Sequence, residues 1–179
     1  MKAETLRLWD PLVRVCHWSL VVVFISDYFL NEEGDAWHRW LGYYAVAVVL
    51  VRVVWGFIGP PAARWSDFWP TPTRIAQHGR ALFSGQGYHR MGHSPIGALV
   101  MVLMLLLMTG LGISGFLMEE VDYFWGEDWL RDVHEFMANA LLTLVGVHIV
   151  AALVESVRLR ENLPLSMITG HRRKKNADE

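Results

Sequence analysis

The most constraining feature of this sequence is a long apolar segment near its end, residues 130–157. A helix needs about 20 apolar residues to cross the hydrocarbon core of a bilayer, and this segment exceeds that length. It contains two histidines, His134 and His148, 14 positions apart. At about 100° and 1.5 Å per residue they leave a helix on nearly the same face, roughly 21 Å apart along its axis. Ionisable side chains are costly inside a bilayer, so two on one face predict a functional site.

Composition agrees with a membrane protein. Hydrophobic residues make up 53% of the 179 positions and charged residues 19%, whereas a soluble domain is about a quarter charged. The net charge of −2 gives no reason to expect a nucleic-acid partner, and a single cysteine, Cys16, excludes an internal disulfide. The sequence therefore predicts an all-α membrane protein.

Four segments have the length and apolarity of membrane spans, near residues 11–30, 37–58, 95–117 and 130–157. Their short connections predict a four-transmembrane-helix up-down bundle. We expect one such domain over residues 1–171, followed by a disordered, basic tail at residues 172–179. Residues 73–83, which mix apolar and basic side chains, predict a short helix on the cytoplasmic surface.

The charges of the connections predict the orientation. The middle connection carries four arginines against one aspartate, and the chain ends in a basic run. Lys and Arg concentrate on the cytoplasmic side of membrane proteins, so we expect both termini and the middle connection there. The other two connections are acidic and contain one base each, Arg39 and Arg131. They are expected on the outer side.

Four histidines fall at two matched depths of this bundle. His38 and His134 share the outer level, and His17 and His148 share the inner level. Each pair would place one imidazole on either face of a porphyrin, because the neutral nitrogen of histidine is a strong ligand for haem iron. The second ring nitrogen then needs an acceptor, for which we expect a backbone carbonyl or a hydroxyl. The alternative is that these histidines pair with polar groups or line a proton path.

Other polar residues near the spans have two interpretations each. Arg14 and Arg52 either pair with propionates of the inner haem or extend to the lipid headgroups. His93, just before the third span, either contacts a propionate or a quinone headgroup or caps the helix at the interface. Three histidines in polar stretches are predicted to be solvated: His78, His89 and His171.

The glycines within the predicted helices have two expected roles. Gly42 follows His38 by one turn and Gly146 precedes His148 by two residues, so both are candidates for porphyrin clearance. The glycines of the third span are expected to serve ordinary helix packing; these are Gly110, Gly112 and Gly115.

Several short motifs occur together along nearly the whole chain. They are Trp9-Asp10-Pro11, Arg14-Val15-Cys16-His17-Trp18, His38-Arg39-Trp40-Leu41-Gly42, Arg52-Val53-Val54-Trp55-Gly56-Phe57-Ile58-Gly59, Ala63-Arg64-Trp65 and Gly92-His93-Ser94-Pro95. With His134 and His148, this combination resembles the prokaryotic cytochrome b561 family, which includes the b-type cytochrome subunits of nickel-iron hydrogenases. Ser94 replaces the asparagine of the family's Gly-His-Asn-Pro.

The resemblance implies a bacterial inner-membrane cytochrome with two haems b, ligated by histidines of the first, second and fourth helices. It also implies electron transfer between a quinone, ubiquinone or menaquinone, and a redox partner. The acidic outer connections favour a basic periplasmic partner such as a c-type cytochrome.

One alternative is a superoxide:quinone oxidoreductase, which needs a positive surface for its anionic substrate. Others are a hydrogenase or reductase cytochrome b subunit, a non-redox transporter or proton channel, and a purely anchoring subunit. A homodimer with twofold symmetry is a reasonable default for the assembly.

Overall fold

The computed structural model describes residues 5–84, 92 and 94–173. Its elements, in chain order, are β1 (Thr5–Arg7), α1 (Pro11–Phe29), α2 (Ala36–Ile58), α3 (Trp65–Phe68), α4 (Pro72–Phe83), α5 (Pro95–Glu120), α6 (Asp128–Leu159), α7 (Leu163–Thr169) and β2 (His171–Arg173). Short 3₁₀ turns follow α2 and α5, at Pro61–Ala63 and Asp122–Phe124.

Four helices, α1, α2, α5 and α6, are long and apolar enough to cross a membrane, among the residues described. This confirms the predicted helical fold class and each of the four spans. The observed helices begin or end within about three residues of the predicted boundaries. Several of these ends could be predicted because a proline lies at or near them. The helices α1 and α5 start on Pro11 and Pro95, and Pro60 follows the end of α2.

The backbone contacts divide the chain into two units, and each contributes part of every long helix. The first unit contains Met1–Arg14, Trp55–Val100 and Val147–Glu179. The second contains Val15–Val54 and Met101–Gly146.

Close helix packing in the second unit depends on glycines of α5. A Cβ added to Gly110 would lie 2.7 Å from the sulfur of Met137 on α6, and one added to Gly112 would overlap the side chain of Val46 on α2. Small residues permit this close approach of helices. A packing role for these two glycines therefore agrees with the structure. Gly115 is different, because its nearest neighbour is the ring of His134.

The first unit has a small core around the start of α1. Trp9, Val13 and Ala63 are buried there, and Leu8 and Met167 pack against them. Asp10 caps α1: its Oδ1 accepts hydrogen bonds from the backbone nitrogens of Leu12 and Val13, at 3.0 and 3.1 Å. The same oxygen accepts a bond from the indole of Trp55 at 3.2 Å, so one carboxylate joins the start of α1 to the end of α2.

The two ends of the described chain pair with each other. β1 and β2 form an antiparallel ladder in which Leu6 lies opposite Arg172. Arg172 also donates from Nε and Nη2 to Oε2 of Glu161, at 3.0 and 2.7 Å, and its side chain is only 9% exposed. The tail predicted to begin at residue 172 was therefore assigned too early, because Arg172 and Arg173 belong to β2. Residues 174–179 lie outside the described residues.

The sequence analysis missed α7, although its signals are ordinary ones. Asn162 caps it by accepting a bond from the backbone nitrogen of Leu165, Pro164 occupies its first turn, and Gly170 ends it in a left-handed conformation at φ 83°. The Gly170 carbonyl then accepts bonds from the backbone nitrogens of Leu8 and Trp9, which connects α7 to the start of α1. A Cβ on Gly170 would lie 2.9 Å from the Trp9 carbonyl oxygen, so this position also requires close backbone approach.

The predicted short helix in the middle connection is confirmed as α4, with Thr71 as its N-cap. The prediction that His78 of α4 is solvated was wrong, because its side chain is buried. Desolvation by this burial lowers the pKa of His78 below its ordinary value, Glu155 opposes that effect and Arg158 adds to it. The charged residues of this stretch suggested a solvated side chain, but the fold buries His78. His171 is exposed as predicted, and His89 lies outside the described residues.

Candidate haem site and its relatives

The second unit brings together two of the four predicted ligands. The ring centres of His38, in the first turn of α2, and His134, in the second turn of α6, are 6.1 Å apart. A metal–imidazole nitrogen bond is about 2 Å long and the ring centre lies roughly 1 Å further, so two imidazoles on one metal have centres about 6 Å apart. The observed separation is therefore compatible with a single iron between the two rings.

A serine of α5 contacts the ring of His134. Ser114 Oγ lies 2.8 Å from Nδ1 of His134 and also 2.9 Å from the carbonyl oxygen of Gly110. When the serine proton points to the carbonyl, Nδ1–H can donate to Oγ. Nε2 then has a free lone pair, the form that binds a metal. The expected hydroxyl acceptor is thus Ser114, which the sequence analysis did not single out.

A carboxylate occupies the corresponding position for His38. Asp27, in the last turn of α1, places Oδ1 3.5 Å from Nδ1 of His38, and the side chains are 16% and 30% exposed respectively. The same Oδ1 accepts a 3.0 Å bond from the side-chain amide of Asn31. Asp35 holds the backbone, since its carboxylate accepts a 2.6 Å bond from the His38 nitrogen. Metal-binding histidines usually donate their second N–H to such an oxygen, so His38 also has the surroundings of a ligand.

Glycines leave space beside this pair. A Cβ added to Gly42 would meet nothing within 4 Å, and one added to Gly115 would lie 3.7 Å from Cε1 of His134. Gly115 was expected to serve packing alone, and the structure places it against the histidine ring. The open space at Gly42 is compatible with the predicted porphyrin clearance, and Gly146, the last residue of the second unit, has similar space.

The other predicted pair is divided between the two units. His17 belongs to the second unit and His148 to the first. Both side chains are partly buried, and the ring of His17 contacts Trp18 edge-on, with ring centres 5.2 Å apart. Each lies in a membrane-spanning helix, as predicted.

The two arginines have different surroundings. Arg52 in α2 is only 5% exposed, which argues against extension to the lipid headgroups and keeps the propionate interpretation. Arg14 donates from Nη2 to the backbone carbonyl of Ile168 near the end of α7, so it helps to hold that helix. A cation near a helix C-terminus is stabilising in its own right. His93 lies outside the described residues.

The histidine pair fits haem better than a bare metal ion. No group of three or more His, Cys, Asp or Glu suited to a metal ion occurs in the described part of the chain. Bis-histidine haem iron needs only two protein ligands per iron, since the porphyrin supplies the rest. Four helices long enough to cross a membrane, with two apposed histidines in one unit, agree with the class of membrane haem proteins.

Comparison with known proteins agrees with this class. A family model described as prokaryotic cytochrome b561 matches residues 8–170, and the chain belongs to that family. It is similar to the "Probable Ni/Fe-hydrogenase B-type cytochrome subunit" of Bradyrhizobium diazoefficiens, at 23% identity over 94% of this chain and 86% of the relative. The protein with the same description from Rhizobium leguminosarum bv. viciae is 24% identical over 100% of this chain and 93% of the relative. No solved structure matches significantly. The chain is a membrane b-type cytochrome that functions in electron transport.

Proposed function

We propose that this protein holds two haems b and carries electrons across the bacterial inner membrane, between the quinone pool and a redox partner at the acidic end of the second unit. His38 and His134 hold the outer haem, and His17 and His148 the inner one. Both termini lie in the cytoplasm in this proposal.

The observation that carries the proposal is the outer pair. Its ring centres are 6.1 Å apart, and an oxygen lies near Nδ1 of each ring, at 2.8 Å for His134 and 3.5 Å for His38. This arrangement favours Nε2 of each ring as the atom that would bind the iron. A core histidine with a merely structural role has no need of this arrangement. A proton path or a non-redox transporter likewise gives no reason for two rings to sit at a bis-ligand separation.

The protein's own residues supply coordination, burial and orientation. Two histidines per iron leave no open position, which favours one-electron transfer over oxygen binding. Haem supplies the redox centre, and the helices exclude water from it and fix ligand orientation. For the inner haem we assign Arg14 and the buried Arg52 as propionate partners and Gly146 as the clearance position. Gly42 is the clearance position of the outer haem. His93 remains our proposed contact for a quinone or propionate.

The charge of the outer connections favours a basic redox partner. Their acidic residues are exposed at Glu32, Glu33, Glu119, Glu120, Asp122, Glu127, Asp128 and Asp132. Both bases of these connections are already paired: Arg39 with Glu119 at 2.8 Å and Arg131 with Asp128 at 3.0 Å. The remaining negative surface attracts a positively charged protein such as a c-type cytochrome. It repels an anion such as superoxide, so the superoxide:quinone oxidoreductase alternative is disfavoured.

A haem-to-protein ratio, measured with a redox titration on purified protein, tests the ligand assignment. Wild type should bind two haems. His38→Ala and His148→Ala should each remove one, and the haem that is left should differ between them. His171→Ala is the matched control, because this exposed histidine lies outside the spans. A wild-type ratio of one, or full haem content in either ligand variant, contradicts the proposal.

The relatives' descriptions favour a second candidate, a hydrogenase cytochrome b subunit. The two candidates differ in the protein that exchanges electrons with the haems. Oxidation of the reduced haems by a basic c-type cytochrome, slowed by salt, supports the first. Reduction of the haems by hydrogen only when a nickel-iron hydrogenase is present, with no salt-sensitive reaction with the c-type cytochrome, supports the second.

A further inference from the structure

We propose that Asp27 is a positioning residue that sets the reduction potential of the outer haem through His38. This inference rests on the proposed function, because it takes His38 as an iron ligand. It goes beyond that function by assigning a role to a carboxylate that does not touch the haem.

The geometry places a negative charge behind one ligand only. Asp27 Oδ1 faces Nδ1 of His38 at 3.5 Å, while the partner ring, His134, has the neutral hydroxyl of Ser114 at 2.8 Å. At 3.5 Å this contact is an electrostatic one rather than a hydrogen bond. A carboxylate behind the N–H still makes the imidazole a stronger electron donor than a neutral hydroxyl does. The two axial ligands of one iron would therefore differ in donor strength, and the difference originates in their partners.

The carboxylate is held rather than mobile. Asn31, one turn further along the chain, donates to the same Oδ1 at 3.0 Å and limits its rotation. Asp27 is 16% exposed, so solvent screens its charge less than it screens the fully exposed acids of the same connection. At the same time Asp35 fixes the His38 backbone through a 2.6 Å bond, which keeps the ring at the end of α1.

The sign of the effect follows from charge. Reduction adds an electron to the iron, and both a nearby negative charge and a stronger donor ligand favour the oxidised state. Asp27 therefore lowers the potential of the outer haem relative to a neutral partner. Removing the charge while keeping the shape should raise that potential.

The test is a spectroscopic redox titration of Asp27→Asn, an isosteric variant that keeps an oxygen for His38 and Asn31. We expect wild-type haem content and an outer-haem reduction equilibrium shifted about tenfold toward the reduced state, which is 59 mV for one electron. The inner-haem potential should stay constant. The electron paramagnetic resonance signal of the oxidised outer haem should also shift, because the donor strength of its ligand has changed.

Two further variants separate a specific effect from a general one. Asp35→Asn removes a charge from the same connection but keeps the backbone acceptor, and should shift the outer potential much less. Asp27→Glu keeps a carboxylate and should leave the outer-haem potential close to the wild-type value. If Asp27→Asn loses haem, Asn31→Ala, which frees the carboxylate to rotate, still decides. A shifted outer-haem potential in Asn31→Ala supports the proposal, and a wild-type potential there would overturn it.

The outcome is distinguishable from failure of the proposed function. If His38→Ala keeps both haems, His38 is not a ligand and the proposed function fails at its first step. If His38→Ala loses the outer haem but Asp27→Asn leaves its potential and resonance signal unchanged, the ligand assignment stands and the role of Asp27 is refuted.

Discussion

Replacing Ser114 by alanine should weaken haem binding at the outer site without unfolding the protein. Ser114 is buried, at 4% exposure, and its hydroxyl satisfies two groups at once. In the tautomer that leaves Nε2 of His134 free for iron, it accepts from Nδ1–H and donates to the Gly110 carbonyl. Alanine leaves the backbone helix intact, since the carbonyl keeps its own helical bond, but Nδ1 loses the acceptor that orients the ring.

The magnitude can be worked from that lost contact. A buried donor left without its acceptor costs about 1–3 kcal/mol. Loss of an outer-shell partner of a metal-binding histidine typically lowers affinity by about 10–100-fold, or roughly 1.4–2.8 kcal/mol. The two estimates agree, so we expect a haem affinity reduced about 10–100-fold at the outer site and no change at the inner one.

The assay is haem transfer from the purified cytochrome to an excess of a haem-scavenging apoprotein, followed optically. Thr109→Ala is the matched control, because Thr109 on the same helix donates to the Leu105 carbonyl at 2.8 Å in the same way but faces no histidine. Faster loss of one haem from Ser114→Ala, with wild-type loss from the control, is the expected result. Equal rates in all three proteins would refute the role of the serine and the tautomer argument with it.

Three other predictions concern stability, measured as thermal or denaturant unfolding in detergent. Gly112→Ala should destabilise the protein by about 1–3 kcal/mol, because its Cβ overlaps Val46, and Val46→Ala should restore much of the loss. Arg172→Met should cost about 1.5–3 kcal/mol by removing its two hydrogen bonds to the Glu161 carboxylate, and Glu161→Gln in the same chain should recover part of it. His78 has a lowered pKa, so the unfolded chain binds more protons: stability should fall as the pH drops below about 6.5, and His78→Gln should flatten that slope.

The four spans could be predicted because each is a long run of apolar residues. Twenty or more apolar residues bounded by proline leave little choice of structure, and each of the four helices starts or ends close to its predicted boundary. The proximity of His38 and His134 could also be predicted, since depth in a bilayer follows from position along a helix. Their pairing as ligands of one iron stays a prediction. The helical repeat of 3.6 residues predicts which residues of one helix share a face, but not how one helix is rotated toward the next.

The parts that sequence reasoning missed depend on contacts between distant segments. In the sequence, Asp27 is one of several acids in the same connection. Its contact with His38 becomes visible only in the fold, where the start of α2 lies near the end of α1. Ser114 lies in a run of small residues, where nothing local distinguishes it from a packing residue. His78 lies in a stretch that contains charged residues, and only the folded structure shows that its side chain is buried. β2 was missed because a three-residue strand is visible only beside its partner.

The pairing of β1 with β2 imposes an order on assembly. Residues 5–7 leave the ribosome long before residues 171–173, so β1 has no ladder partner until the chain has been synthesised past residue 173. A premature stop within α7 would leave β1 as an open strand edge, available to another chain.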